Sequence, residues 1–169
     1  MLTDVFFINS NFGWAVGNHG TILKSNDGGL NWSVKTMGID NWLLSIYFID
    51  EFIGWTVGSY GTLLKTFDGG ENWTIQSADT NAWLSSVHFF DSNIGWIVGQ
   101  YGLILKSTNG GRTWDNQLSG TDCNLIDIDI INQNSGWITG LNGIMINTID
   151  GGNQWSKQSF GTTNNLNSI

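Results

Sequence analysis

Residues 54–73 read GWTVGSYGTLLKTFDGGENW, and the same frame returns as GWAVGNHGTILKSNDGGLNW from Gly13, GWIVGQYGLILKSTNGGRTW from Gly95 and GWITGLNGIMINTIDGGNQW from Gly136. Each copy starts 41 residues after the last, without a gap. All ten tryptophans obey the frame: Trp14, Trp55, Trp96 and Trp137 open it, Trp32, Trp73, Trp114 and Trp155 close it, and Trp42 and Trp83 share a third position. Twenty of the 23 glycines recur in all four copies as well. Upstream the frame reaches Leu2, Leu43, Leu84 and Leu125, which sets repeats at 2–42, 43–83, 84–124 and 125–165. Residues 166–169, LNSI, match Leu43-Leu44-Ser45-Ile46 and open a further repeat, so residues 1–169 form one array with no linker.

Within a unit, LLSIYFI, GWTV, TLLKTF and NWTIQ are short runs rich in β-branched and aromatic residues, separated by turn chemistry, and helical periodicity is absent. The pair inside Gly58-Ser59-Tyr60-Gly61 has the spacing of a tight hairpin, with Asn18-His19, Gln100-Tyr101 and Leu141-Asn142 as its counterparts. Four antiparallel strands recurring every ~40–45 residues make the blade of a propeller. The fold class is therefore all-β: a β-propeller with four four-stranded antiparallel blades of 41 residues, forming part of a larger ring. The LNSI end predicts either a segment of a longer array or a half-ring that pairs with a second copy as a homodimer of eight blades, since propellers hold 4–8 blades and an uncovered blade face invites pairing.

Fourteen acidic against six basic side chains give a net charge of -8, the wrong sign for nucleic acid or an anionic membrane surface. No run is long enough to span a bilayer, and the first residues lack a basic start and a continuous apolar core, so any export signal lies outside these residues. Cys123 stands alone, which removes an intrachain disulfide and a cysteine-rich metal site. His19 and His88 occupy different repeat positions, and no His/Cys/Asp group has metal-ligand spacing, so neither metal nor cofactor is expected. The glycines precede no helix and are turn residues rather than a phosphate cradle. The sequons at Asn31 and Asn72 arise as by-products of the repeat.

The segments SNDGGLNW, TFDGGENW, STNGGRTW and TIDGGNQW resemble the Asp box, the bacterial neuraminidase repeat Ser/Thr-x-Asp-x-Gly-x-x-Trp. Preceded by GWxVGxxG, the unit is similar to the repeats of the photosystem II stability and assembly factor propellers and their relatives in bacterial secreted proteins. That resemblance covers the whole chain. It implies a propeller with the box between the third and fourth strands of each blade, and an extracellular, cell-surface or periplasmic location. Independently of any family, Asp27, Asp68 and Asp150 can accept N–H bonds across a Gly-rich turn, and Asn109 fills the same slot without charge, which makes these four residues turn architecture.

Sialidases share the box but act as a family through an arginine triad, and Arg112 is the only arginine here, so that activity is excluded. Endo-acting propeller hydrolases need only two carboxylates. Asp4 and Asp127 share one inner-strand position, where the other repeats carry Ser45 and Ser86, and Asp129 follows two residues on. These acids are read as polar lining of a wet channel, because no perturbing partner is evident. The assembly-factor family is associated with a basic, arginine-bearing surface, which one arginine cannot provide.

The remaining feature is spatial. Hairpins between the second and third strands emerge on the same face as the links between blades, which places His19, Tyr60, Tyr101 and Asn142 with Trp42, Trp83 and Asn124 on one loop face, opposite the boxes. Exposed aromatics there can stack on a sugar or anchor a protein. The sequence thus predicts a non-catalytic binding or assembly scaffold for a protein or glycan, with a glycan-active enzyme fragment or an assembly chaperone as alternatives.

Overall fold

In a computed structural model, which describes residues 1–159 and 161–169, the chain forms four four-stranded antiparallel sheets, each a meander in chain order. Blade 1 holds β1 (Leu2–Phe7), β2 (Gly13–Gly17), β3 (Thr21–Ser25) and β4 (Ser33–Thr36); blade 2 holds β5 (Leu43–Phe48), β6 (Gly54–Gly58), β7 (Leu63–Thr66) and β8 (Thr74–Gln76). Blade 3 holds β9 (Leu84–Phe89), β10 (Gly95–Gly99), β11 (Ile104–Ser107) and β12 (Asp115–Gln117); blade 4 holds β13 (Leu125–Ile130), β14 (Gly136–Gly140), β15 (Met145–Thr148) and β16 (Ser156–Gln158). Two compact units result, Met1–Asn81 with blades 1 and 2 and Ala82–Ile169 with blades 3 and 4.

Each unit is held by stacking one sheet on the next. In the first, Trp14, Val16 and Ile22 of blade 1 lie on Leu43, Ile46, Phe48, Leu64 and Trp73 of blade 2, all almost fully buried. The Trp14 ring stacks on Phe48 at 3.6 Å between centroids and 11° between planes, and its Nε1–H donates to Gly69 O at 2.8 Å. An aromatic pair of this kind adds about 0.5–1.5 kcal/mol beyond the area it buries. In the second unit, Trp96, Val98 and Ile104 pack on Leu125, Ile128, Ile130, Ile146 and Trp155, and Gln117 Oε1 accepts both indole N–H groups at 3.2 and 3.1 Å. Lys106 also crosses to the next blade, over the Trp96 ring, and donates to Gly151 O at 2.7 Å; burial lowers its pKa.

Inner strands carry a second device. Every blade breaks register near the start of its inner strand, at Leu2/Asp4, Leu43/Ser45, Leu84/Ser86 and Leu125/Asp127. The bulge turns the following side chain toward the neighbouring inner strand. Asp4 thereby accepts the N–H of Val5 and, from blade 2, that of Ile46, both at 2.8 Å. Asp127 accepts from Ser86 Oγ, Ile128 N–H, Ser168 Oγ and Ile169 N–H. Residues 166–169 form no strand but lie beside β13 through Leu166 N–H to Gly140 O at 3.0 Å.

The hairpin turn lies one residue later than its sequence spacing suggests. Ser59 O accepts Thr62 N–H at 3.1 Å, so the central pair is Tyr60-Gly61, with φ of 56° and 68°, and not Ser59-Tyr60. His19-Gly20, Tyr101-Gly102 and Asn142-Gly143 take the same type I′ geometry. The reason is that the type I′ turn needs two positive φ values, and only the glycine takes one without strain. Gly38, Asp79, Gly120 and Gly161 form a further repeated left-handed position.

At Gly58 the constraint is space rather than torsion. Its φ of -173° suits any residue, yet a Cβ there would meet Trp42 O at 1.8 Å. Gly58→Ala is expected to destabilise the first unit by about 2–3 kcal/mol through displacement of the link. Gly38→Ala, where φ is 67° and nothing lies within 4 Å, costs about 1 kcal/mol. Urea titrations of the two variants check the ranking.

Candidate functional site

The loop end of each unit is built from hairpins clamped to links. In the first unit, the link before blade 2 is stitched to both hairpins: Gly20 N–H donates to Asn41 O and Ser59 N–H to Trp42 O, each at 2.8 Å. Trp42 N–H returns a bond to Ser59 Oγ at 2.9 Å, and Asn41 Nδ2 reaches Thr62 Oγ1 at 2.7 Å. His19 and Trp42 are exposed, with His19 Nδ1 paired to Asp40 Oδ1. Tyr60 is 66% exposed and borders a cavity of about 180 Å3 that Ile39, Asn41, Ile75 and Gln76 also line.

The second unit repeats the plan with different side chains. Trp83 is half-buried, its N–H donating to Gln100 Oε1 and its carbonyl accepting Gln100 N–H. Asn124 Oδ1 accepts Tyr101 N–H at 3.1 Å while its carbonyl takes Leu141 N–H at 2.9 Å, so one link residue ties both hairpins. Asn142 is exposed, and Asn165 Oδ1 accepts its N–H. Tyr101 is 75% exposed, beside a cavity of about 360 Å3 lined by Asn116, Gln117, Ser119, Thr121 and Asp122. In both units a tyrosine thus stands in the left-handed region, at a cost of order 1–2 kcal/mol that a glycine would avoid.

The boxes occupy the other end of each third strand: β3 runs from the hairpin at Thr21 to the box at Ser25. In each box the hydroxyl of Ser25, Thr66, Ser107 or Thr148 accepts the N–H of the second glycine at 2.8–2.9 Å. The same hydroxyl donates to the next box residue, Asp27, Asp68, Asn109 or Asp150. That residue accepts the N–H four positions on. The third box compensates for its missing charge. Where Asp27 and Asp68 accept from the amides of Asn31 and Asn72, the Asn109 amide donates to Thr113 Oγ1 at 2.8 Å.

Sequence reading missed two pairings. His88 lies with Nδ1 3.4 Å from Asp129 Oδ1, and burial keeps its pKa low against the raising effect of Asp129. The signal was present, since residues 88 and 129 are one repeat apart on inner strands. Asp40, the partner of His19, falls in a link where the frame is silent. Among the described residues no three His, Cys, Asp or Glu side chains gather to hold a metal.

The profile of the family described as Photosynthesis system II assembly factor YCF48 matches residues 31–121 and 116–169. A solved YCF48 bound to D1 peptide superposes with a TM-score of 0.80 at 19% identity, over 99% of this chain and 56% of that one. YCF48 from Cyanidioschyzon merolae gives 0.75 at 19%, over 99% and 59%. An ancestral GH74 enzyme gives 0.78 at 18% identity, over 96% of this chain and 26% of that one. The chain therefore spans just over half the length of the solved YCF48 structures, and at these identities the likeness speaks for the fold. No curated protein matches in sequence.

Box carboxylates titrate below the ordinary carboxylate value, Asp27 through the Asn31 side-chain amide first, Asp68 through the Asn72 N–H and Asp150 through the Gln154 N–H. A depressed folded pKa contributes stability that is present above the unfolded value of about 4 and is lost as pH falls through the folded one. Acid titration monitored by tryptophan fluorescence is expected to show stability falling below about pH 4. Asp68→Ala should cost about 1 kcal/mol, limited by solvent exposure, and Asp68→Asn less than half of that, because its Oδ1 still accepts from Thr66 and from the Asn72 N–H.

Proposed function

We propose that this chain, which belongs to the Photosynthesis system II assembly factor YCF48 family, is a non-catalytic assembly scaffold that holds an extended protein segment on its hairpin-and-link loops. The observation that carries this reading is the placement of Tyr60 and Tyr101: exposed, strained, anchored through their own turns and set beside cavities. Rigid aromatics offer contact area at low entropic cost, and strain kept at a surface position is a mark of use. His19 with Trp42 in the first unit, and Trp83 with Asn142 in the second, flank these anchors.

Support comes also from the relative that binds a peptide of D1, a protein partner rather than a small molecule. The net charge of -8 favours a neutral or basic segment through steering and electrostatic complementarity. The inner-strand acids support no hydrolytic role. Asp4 and Asp127 spend their carboxylate oxygens on backbone N–H donors, those of Val5 and Ile46 for Asp4 and those of Ile128 and Ile169 for Asp127, which fixes both side chains in place.

The test is binding of synthetic peptide pools, basic and acidic, with a glycan array beside them. Basic or neutral peptides are expected to bind and acidic ones to fail; capture of a glycan with no peptide would replace this reading with carbohydrate recognition. Tyr60→Gly and Tyr101→Gly, made separately, should each raise stability by about 0.5–1 kcal/mol by relieving left-handed strain. The same variants should weaken peptide binding by about 1–3 kcal/mol. Opposite signs in the two measurements separate recognition from folding, and unchanged affinity would sink the proposal.

A further inference from the structure

Asp40, after β4, and Asp122, after β12, occupy one repeat position, two repeats apart. In the first unit the neighbouring hairpin tip is His19, and its Nδ1 pairs with Asp40 Oδ1. In the second unit the same tip is Tyr101, which offers no basic nitrogen. Asp122 is exposed there and has no ion-pair partner among the described residues. The chain thus shows a nitrogen base beside this acid in one blade and leaves the equivalent place open in another.

The open place is built rather than loose. Ser119 Oγ donates to Thr121 O at 3.0 Å and accepts Thr121 N–H at 3.3 Å, and Thr121 Oγ1 accepts Cys123 N–H at 3.1 Å. Thr121 O in turn lies against the hairpin glycine, where a Cβ on Gly102 would come within 1.8 Å of it. Tyr101 N–H is held by Asn124 Oδ1, so the ring and the acid are carried by one bonded assembly. Both line the cavity of about 360 Å3, and no Lys or Arg lines it with them. The cavity beside Tyr60 in the first unit differs, since Ile39 and Ile75 line it and no acidic side chain does. Its amides are already engaged, Asn41 Nδ2 with Thr62 Oγ1 and Gln76 Nε2 with Thr74 Oγ1.

We propose that the cavity between Tyr101 and Asp122 is a subsite for a lysine or arginine side chain. The alkyl stem of such a residue lies along the tyrosine ring, and its cationic head meets the ring face and the carboxylate, as the imidazole of His19 meets Asp40. Because the assembly is held before anything binds, little ordering opposes the contact. This subsite rests on the reading that the loops hold a protein segment, and it adds that the segment carries a basic residue in the second unit. The Tyr60 cavity takes an uncharged side chain by the same comparison.

The test uses butylammonium and butylguanidinium as probes, with 1-pentanol as the uncharged counterpart, titrated into the full chain and followed residue by residue by NMR. Both cations are expected to shift residues 101–103 and 116–122 and to leave residues 60–64 unmoved, while 1-pentanol leaves 116–122 unmoved. Asp122→Asn, which places there the residue that blade 2 carries as Asn81, should weaken both cations about threefold to fivefold. Asp115→Asn removes an acid of the same unit outside the cavity and should change nothing. Tyr101→His puts the residue of blade 1 at the tip, and its imidazole should occupy Asp122 and block the probes. Cations that bind no better than 1-pentanol, that ignore Asp122→Asn, or that respond equally to Asp115→Asn overturn the proposal. Probe binding without any peptide binding keeps the subsite and removes the protein-segment reading. A bound peptide whose lysines and arginines can all become glutamine without loss removes the subsite alone.

Discussion

Everything in this chain depends on covering one sheet with the next. A four-stranded meander of 41 residues has two apolar faces and no core of its own, so it is stable only when a neighbour removes those faces from water. The contact that does so is the Trp14 ring lying flat on Phe48 while its indole N–H is satisfied by Gly69 O. That bond matters because a buried indole nitrogen without an acceptor would cancel part of what the ring gains. The first box glycine is thus more than a turn residue: its carbonyl is the acceptor presented to the preceding blade, by Trp14 in one unit and by Lys106 in the other.

Because the framework is met by inward-facing residues and glycines, the loop end is free to vary. Each third strand has a conservative end and a permissive one. At the box, serine or threonine, the acid or amide and the second glycine form a closed set of bonds that leaves little choice. At the hairpin only the glycine after the tip repeats, and the tip itself is His19, Tyr60, Tyr101 or Asn142. Variation where the backbone is anchored from both sides is how a repeat protein changes what it recognises without changing how it folds. The third box shows that the architectural end varies too, but only in concert: Asn109 comes with Thr113, and a side-chain bond between the third and seventh box residues is kept with its direction reversed.

The sequence by itself determined the repeat, the strand order within a blade, the box and the hairpin loops, because each follows from local rules. Period, turn chemistry and the alternation of buried side chains are written in neighbouring residues, and four copies of one pattern cancel the noise of any single one. The turn was misplaced by one residue because spacing does not say which of two residues takes positive φ. Tertiary structure alone decided what touches what across repeats. That His88 meets Asp129, that Asp4 serves a backbone donor of the next inner strand and Asp127 one of residues 166–169, and that Trp42 is exposed while Trp83 is half-buried depend on how sheets stack and on the bulge that starts each inner strand. Those are relations between residues about forty positions apart, set by packing rather than by propensity, and no local pattern encodes which side chain a neighbouring blade will cover.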